Sequence, residues 1–367
     1  MKKLFSILVL ALSCSALFAQ QTAVALLNHE GTISTFYGAD ALVQAHKAAV
    51  HGDIITLSGG AFTAPSSWTK AVTLRGAGCY EGAENTREVT YIGNEFKLAI
   101  PVEIETTMTI EGINFKSDFR FNTKVKNTTF LKCYFPNVTS VSCNTNFYNC
   151  ILNGLSFSAS ATEVANVNLF NSFVMYPVNE SSYVSAKFTN CIIQCYYNLT
   201  SNTSSNDDGP IAMKYGKYNN CIFIGNLRAK YSQHWLPSNC TATNCLSCCC
   251  AYADATETED AVFNYNIFEY MGNSTNKYLE GKPVAEAIKS VFKTFNGTDW
   301  FSFNELYELT DEAKAMYIGS DGTQIGLHGG IGFDLVPSTL QITKCEVAPR
   351  STKDGKLSVK IEVGIPE

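Results

Sequence analysis

The sequence predicts an all-β chain wound as a single-stranded parallel β-helix. Three observations predict it. First, one motif returns along the middle of the chain, clearest as Phe147-Tyr-Asn-Cys150-Ile, Phe188-Thr-Asn-Cys191-Ile and Tyr218-Asn-Asn-Cys221-Ile. Weaker copies centre on Ile113, Cys133, Ser172, Cys245 and Ile267. From reference to reference the steps are 20, 17, 22, 19, 30, 24 and 22 residues. That is the period of one solenoid coil. Second, the copies align in columns. Ile110, Phe130, Phe147, Leu169, Phe188 and Tyr218 stand three residues before the reference, and Phe115, Phe135, Leu152, Val174, Ile193 and Phe223 stand two after it. Third, Asn recurs one residue before the reference, at 149, 171, 190, 220, 244 and 266.

Stacked coils explain such columns, because equal positions in successive strands lie ~4.8 Å apart. Cys behaves inside as a small hydrophobe. Asn suits the corner between two strands, since it tolerates the left-handed conformation and bonds nearby backbone. Stacked amides can also bond one another along the axis. The runs between turns are β-branched and aromatic, which reads as strand and not as a helical repeat.

Taken in order, residues 1–19 read as a secretory signal peptide. Lys2 and Lys3 are its charged start, Leu4 to Leu12 its apolar stretch, and Ala19 its cleavage position. Export to the periplasm, the outer-membrane surface or the medium follows. No later apolar run approaches the ~20 residues of a spanning helix. Residues 20–336 form the β-helix, with a helix over 39–50, repeats over about 53–270 and a closing segment over 271–336. Asp40 is the expected N-cap, and Ala41, Leu42, Ala45, Ala48 and Ala49 make the helix's apolar stripe. A strand follows in Asp53-Ile-Ile-Thr-Leu57, and another in Val72-Thr-Leu-Arg75. Pro283 to Phe292 reads as a short amphipathic helix. Residues 337–367 alternate apolar and polar on either side of Ser351-Thr-Lys-Asp-Gly355, a β-hairpin.

The Ala-rich helix, the Gly52-Asp-Ile-Ile-Thr-Leu57 strand and Val72-Thr-Leu-Arg-Gly-Ala-Gly78 together resemble the opening of the pectin-lyase-like, right-handed parallel β-helix proteins. Tyr317-Ile-Gly-Ser-Asp-Gly-Thr-Gln-Ile-Gly-Leu-His-Gly-Gly330 resembles the closing coil of their secreted, Bacteroides-type members. The resemblance spans roughly residues 35 to 335. It implies a right-handed coil whose N-terminal helix caps the open end, where core and strand edge would otherwise meet water. Fold alone does not imply activity.

Composition narrows the partners. The chain has 33 acids against 27 bases and a net charge of −6, so nucleic acid is not expected. Fourteen Cys, less Cys14 of the signal, leave an odd number. Residues of one column stack without facing each other, so Cys133, Cys150, Cys191, Cys221 and Cys245 are expected as buried free thiols. Cys245-x-x-Cys248 has metal-like spacing, but no second pair or nearby His completes a tetrahedral site, and no metal is assigned.

Hydrolases of this class carry Asn-Thr-Asp, Asp-Asp, His-Gly and Arg-Ile-Lys motifs. Only Asp207-Asp208 and His328-Gly329 occur here, far apart in sequence. The candidate ligand-binding residues are Tyr196, Tyr197, Asp207, Asp208, Arg228, Lys230, Tyr231, His234 and Trp235. They sit in the longest coil and the one after it, and insertions in a solenoid collect on a binding face. Aromatic rings can stack on sugars, and Arg or Lys can pair a uronate carboxylate. The expected function is polysaccharide or glycan binding by a monomer without cofactor. The alternatives are a polysaccharide lyase or glycoside hydrolase on uronate polymers, with Ca²⁺ only under the lyase reading, and an adhesin-like or scaffold protein.

Overall fold

The computed structural model describes residues 23–79, 89–123, 125, 127–141, 144–157, 165–175, 177–178, 182–194, 213, 215–224, 239–248, 262–271, 274–278, 291–294, 307–333, 341–347 and 359–364. Over these residues the chain is nearly all β and forms a parallel β-solenoid. The repeat motif is its unit. Each copy supplies one strand before the Asn corner and one after it. The strands before the corner build a 12-stranded sheet, and those after it an 11-stranded sheet. A shorter sheet of five strands closes the third side, from Phe96–Leu98 to Pro177–Val178.

Register follows the columns. Phe130 pairs with Ile110 and Phe147, Phe188 pairs with Leu169 and Tyr218, and Ile193 pairs with Val174 and Phe223, all in parallel strands. The corner residue is left-handed in all eight repeat copies. Gly112, Lys132, Asn149, Asn171, Asn190, Asn220, Asn244 and Tyr265 have φ between 47° and 67°. Asn holds five of these eight places because its short amide tolerates that conformation best among non-glycine residues.

The last copy corrects the sequence alignment. Leu246 pairs with Ile267, so Ile267 stands one place after the reference. Asn266, expected at the corner, occupies the thiol column instead, and Tyr265 takes the corner. The amide is satisfied there. Its Oδ1 accepts from Cys245 N at 2.7 Å, and its Nδ2 donates to Ala242 O at 2.8 Å. Ser172 fills the same column four coils earlier and accepts from Cys150 N at 3.1 Å.

The core is one continuous cluster of stacked rings and aliphatics. Phe96 stacks on Phe119 at 5.0 Å, Phe115 on Phe135 at 4.9 Å, Phe130 on Phe147 at 4.9 Å and Phe188 on Tyr218 at 4.7 Å. Cys133, Cys150, Cys191, Cys221 and Cys245 are buried free thiols, as expected. Burial pushes the thiols of Cys133, Cys191 and Cys245 well above the ordinary range. A thiolate is the reactive form, so these groups should be inert. All five thiols are enclosed, so a thiol reagent followed by peptide mapping should leave them unmodified until denaturant is added; native-state labelling of any one would contradict this packing.

Both ends of the ladder turn antiparallel. Val24–His29 pairs antiparallel with Thr32–Tyr37 on one side and with Ile54–Leu57 on the other. The lead-in residues, given no element from sequence, are therefore a hairpin, turned at Glu30 and Gly31 with positive φ. At the far end Ser274–Tyr278 folds back on Ile267–Met271. The helix α1 spans Ala41–Ala48, slightly inside the expected 39–50. Asp40 is at the N-cap position, but its side chain makes no capping hydrogen bond. Ala41, Leu42 and Ala45 are buried within the core, and His46 lies 4.4 Å from the Trp68 ring.

The expected helix at Pro283 to Phe292 falls almost wholly outside the described residues. A different helix, α2 at Asp311–Met316, is present, and Thr310 Oγ1 accepts from Ala313 N at 3.2 Å to cap it. It belongs to a strap, residues 307–333, which lies along the flank of the coils. Asn190 Nδ2 donates to Leu327 O at 2.6 Å and to Gly329 O at 2.7 Å. Asn244 Oδ1 accepts from Ser320 N at 2.8 Å. These corner amides thus hold the strap. Beneath it lies a second apolar cluster, in which Ile192, Ile222, Leu246 and Ile267, the residues following the thiol column, face outward and meet Tyr307, Leu309, Tyr317, Ile325 and Leu327.

A second compact unit, Asp334–Glu367, contains an antiparallel pair, Gln341–Val347 with Val359–Gly364.

Candidate functional site

All nine candidate residues lie outside the described residues, but the rungs that flank them are fixed. Tyr196, Tyr197, Asp207 and Asp208 fall between strand Ile192–Gln194 and strand Gly216–Asn219. Arg228, Lys230, Tyr231, His234 and Trp235 fall between Ile222–Ile224 and Thr241–Thr243. Gln194 pairs with Ile224, and Lys217 pairs with Thr241. Both stretches therefore leave the ladder from neighbouring rungs and rejoin it on neighbouring rungs, ~4.8 Å apart. In the earlier coils the same slot holds a strand of the short third sheet, whose last described member is Pro177–Val178.

Two clefts among the described residues are lined by side chains that already have structural partners. One, of about 420 Å³, is lined by Asn28, His29, Glu30, His51 and Asp53. His29 Nδ1 is 2.7 Å from Asp53 Oδ1, and this contact raises the His29 pKa. Asp53 Oδ2 also accepts from Val50 N at 2.8 Å, and His51 Nδ1 accepts from Ala71 N at 3.0 Å. The carboxylate thus ties the turn after α1 to the first hairpin. His46 likewise packs: its Nε2 accepts from Thr69 N at 3.2 Å, and burial lowers its pKa to about 4.

The other cleft, of about 490 Å³, is lined by Glu95, Lys116, Ser117, Asp118 and Pro136. Its two carboxylates are already engaged. Glu95 pairs with Lys97 at 3.0 Å and Arg120 at 3.4 Å, and Asp118 Oδ1 accepts from Asn137 Nδ2 at 2.9 Å. Lys116 Nζ lies 4.1 Å from the centre of the Tyr91 ring. No group of three metal-ligating side chains occurs among the described residues.

His328 and Gly329, the His-Gly pair of the sequence, lie in the strap. His328 is half-buried, its ring perpendicular to that of Phe333 with 6.3 Å between ring centres. Gly329 passes so close to Gln324 and Asn220 that no side chain fits. Packing accounts for the glycine.

Comparisons with protein-family models, with curated proteins and with solved structures return no match. Among the described residues, no helix is long and apolar enough to cross a membrane.

The outward positions of the long sheet carry no motif, and alternation alone reveals them. Once the inward columns are fixed, the residue between two inward ones must face out. That rule exposes a row of amides, rings and lysines on the coils from 127 to 219.

Proposed function

We propose that this protein is exported by its first nineteen residues and binds polysaccharide through the stretches 195–212 and 225–238. The observation that supports the reading is the flanking register. Two stretches from consecutive coils, one with Tyr196, Tyr197, Asp207 and Asp208 and the other with Arg228 to Trp235, are rooted on adjacent rungs. Rings for stacking and cations for uronate carboxylates would then share one flank. The resemblance to secreted pectin-lyase-like proteins points the same way. The full chain should retain oligosaccharides in a glycan-panel binding assay, and Trp235→Ala should weaken retention about tenfold, the loss of one well-stacked ring. Turnover of a uronate polymer to unsaturated products, abolished by Arg228→Ala or Lys230→Ala, would replace this reading with a lyase. Retention of no glycan would leave the adhesin or scaffold reading.

A further inference from the structure

The outer face of the 12-stranded sheet is built unlike the rest of this acidic chain. Its six strands from Asn127–Leu131 to Thr241–Thr243 contain no Asp or Glu. Lys187 and Lys217 are directly paired on adjacent rungs, and both are exposed. Neither has an acidic partner among the described residues. In the same column, Asn168 Nδ2 donates to Asn146 Oδ1 at 3.0 Å, and beside it Asn166 Nδ2 donates to Asn144 Oδ1 at 3.2 Å. Next to these amides Tyr148 and Phe170, both half-buried, stack at 5.1 Å with their planes 6° apart. The nearest acid in the Tyr148 column is Glu111, two rungs away and within 3.7 Å of Arg75.

We propose that this face is a second binding site, for a linear anionic polysaccharide laid along the solenoid axis. The inference rests on the reading of the protein as a glycan binder, but not on the stretches proposed above. Each part has a task. The amides, fixed in a ladder by bonds to each other, keep donor and acceptor capacity directed outward for sugar hydroxyls. The ring pair supplies an apolar surface for pyranose C–H groups. The two lysines, ~4.8 Å apart, supply adjacent positive charge for carboxylates. The absence of acids matters as much, since an acid on this face would repel a uronate chain. A rigid sheet face also loses little conformational freedom on binding.

The test is binding of the full chain to polygalacturonate at low ionic strength, with dextran as the neutral probe and double-stranded DNA as the non-sugar polyanion. The wild type should bind polygalacturonate and release it as salt screens the charges. Lys187→Ala with Lys217→Ala should weaken binding about tenfold and flatten its salt dependence, since lysines at an anionic surface act nearly independently. Lys187→Arg with Lys217→Arg should preserve both. Tyr148→Ala should weaken binding while the salt dependence stays. Trp235→Ala should leave the salt dependence intact whatever it does to affinity. Wild-type affinity and salt dependence in the double alanine variant would overturn the face and leave the stretches standing. Binding of dextran but not polygalacturonate would do the same, and equal binding of DNA would reduce the face to an unselective cationic patch.

Discussion

Phe119→Ala should be among the most damaging single truncations in the solenoid, costing about 3–5 kcal/mol of stability. Phe119 is fully buried and is a hub for five other rings. It stacks on Phe96 at 5.0 Å and meets Phe115, Phe130, Phe121 and Phe135 edge-on at 5.2, 5.1, 5.6 and 5.6 Å. Those partners come from several coils, so one truncation opens a void that no single strand can fill by shifting. Ring stacks also resist collapse, because each ring is held in plane by the next one along the axis. Chemical denaturation followed by near-UV circular dichroism would measure the loss. Asn144→Ala, on the exposed face of the neighbouring sheet, should change stability by no more than about 0.5 kcal/mol. Equal midpoints for the two variants would contradict this account of the core.

Phe119 also marks where the sequence stops being legible. The columns before and after the Asn corner are legible directly, because the corner is one left-handed residue in each repeat copy and keeps a constant spacing across it. The third side has no such constant. It absorbs the whole variation in step length, from 17 to 30 residues, and its register shifts between Val138 and Val141. Phe119, Phe121 and Val138 therefore sit in no visible column, although they face the same core. The residue after each thiol was visible but its direction was not. Ile192 and Ile222 lie within strands and face outward, and only the strap explains why they are apolar there. The slip at Asn266 has a similar cause: an amide can replace a thiol inside when both its ends find backbone partners. Residue type and loop length mark the candidate stretches, and the rungs at their ends are what the structure describes. The outward amides, by contrast, follow from alternation alone.

Gly329→Ala should detach the strap, and here the cause is a missing atom. A Cβ at Gly329 would run into Gln324 O and Asn220 Nδ2 and would lie 3.0 Å from the Gln324 carbonyl carbon. Asn220 cannot retreat, because it is fully buried at a corner whose backbone is fixed by the ladder, its N–H donating to Thr243 O at 3.1 Å. Gln324 is itself held in the strap by its antiparallel bridge to Ile318. The strap must therefore lift, and it cannot do so without losing the bonds from Asn190 Nδ2 to Leu327 O and Gly329 O, and that from Gly326 N to Asn244 O at 2.7 Å. Ile192, Ile222, Leu246 and Ile267, now fully buried, would meet water, at about 1.5–3 kcal/mol for each side chain fully exposed. Gly332 provides the comparison. Its φ is 81° and nothing lies within 4 Å of an added Cβ, so Gly332→Ala costs only backbone strain, about 1–2 kcal/mol. Limited proteolysis and hydrogen exchange should show residues 307–333 opening in Gly329→Ala while the coils from Met108 to Met175 stay protected. The strands below do not depend on the strap for their own pairing, so the damage should remain local, as expected where each coil contacts chiefly its neighbours. If Gly329→Ala opens no faster than Gly332→Ala, the close approach of strap and corner is not what holds this flank together.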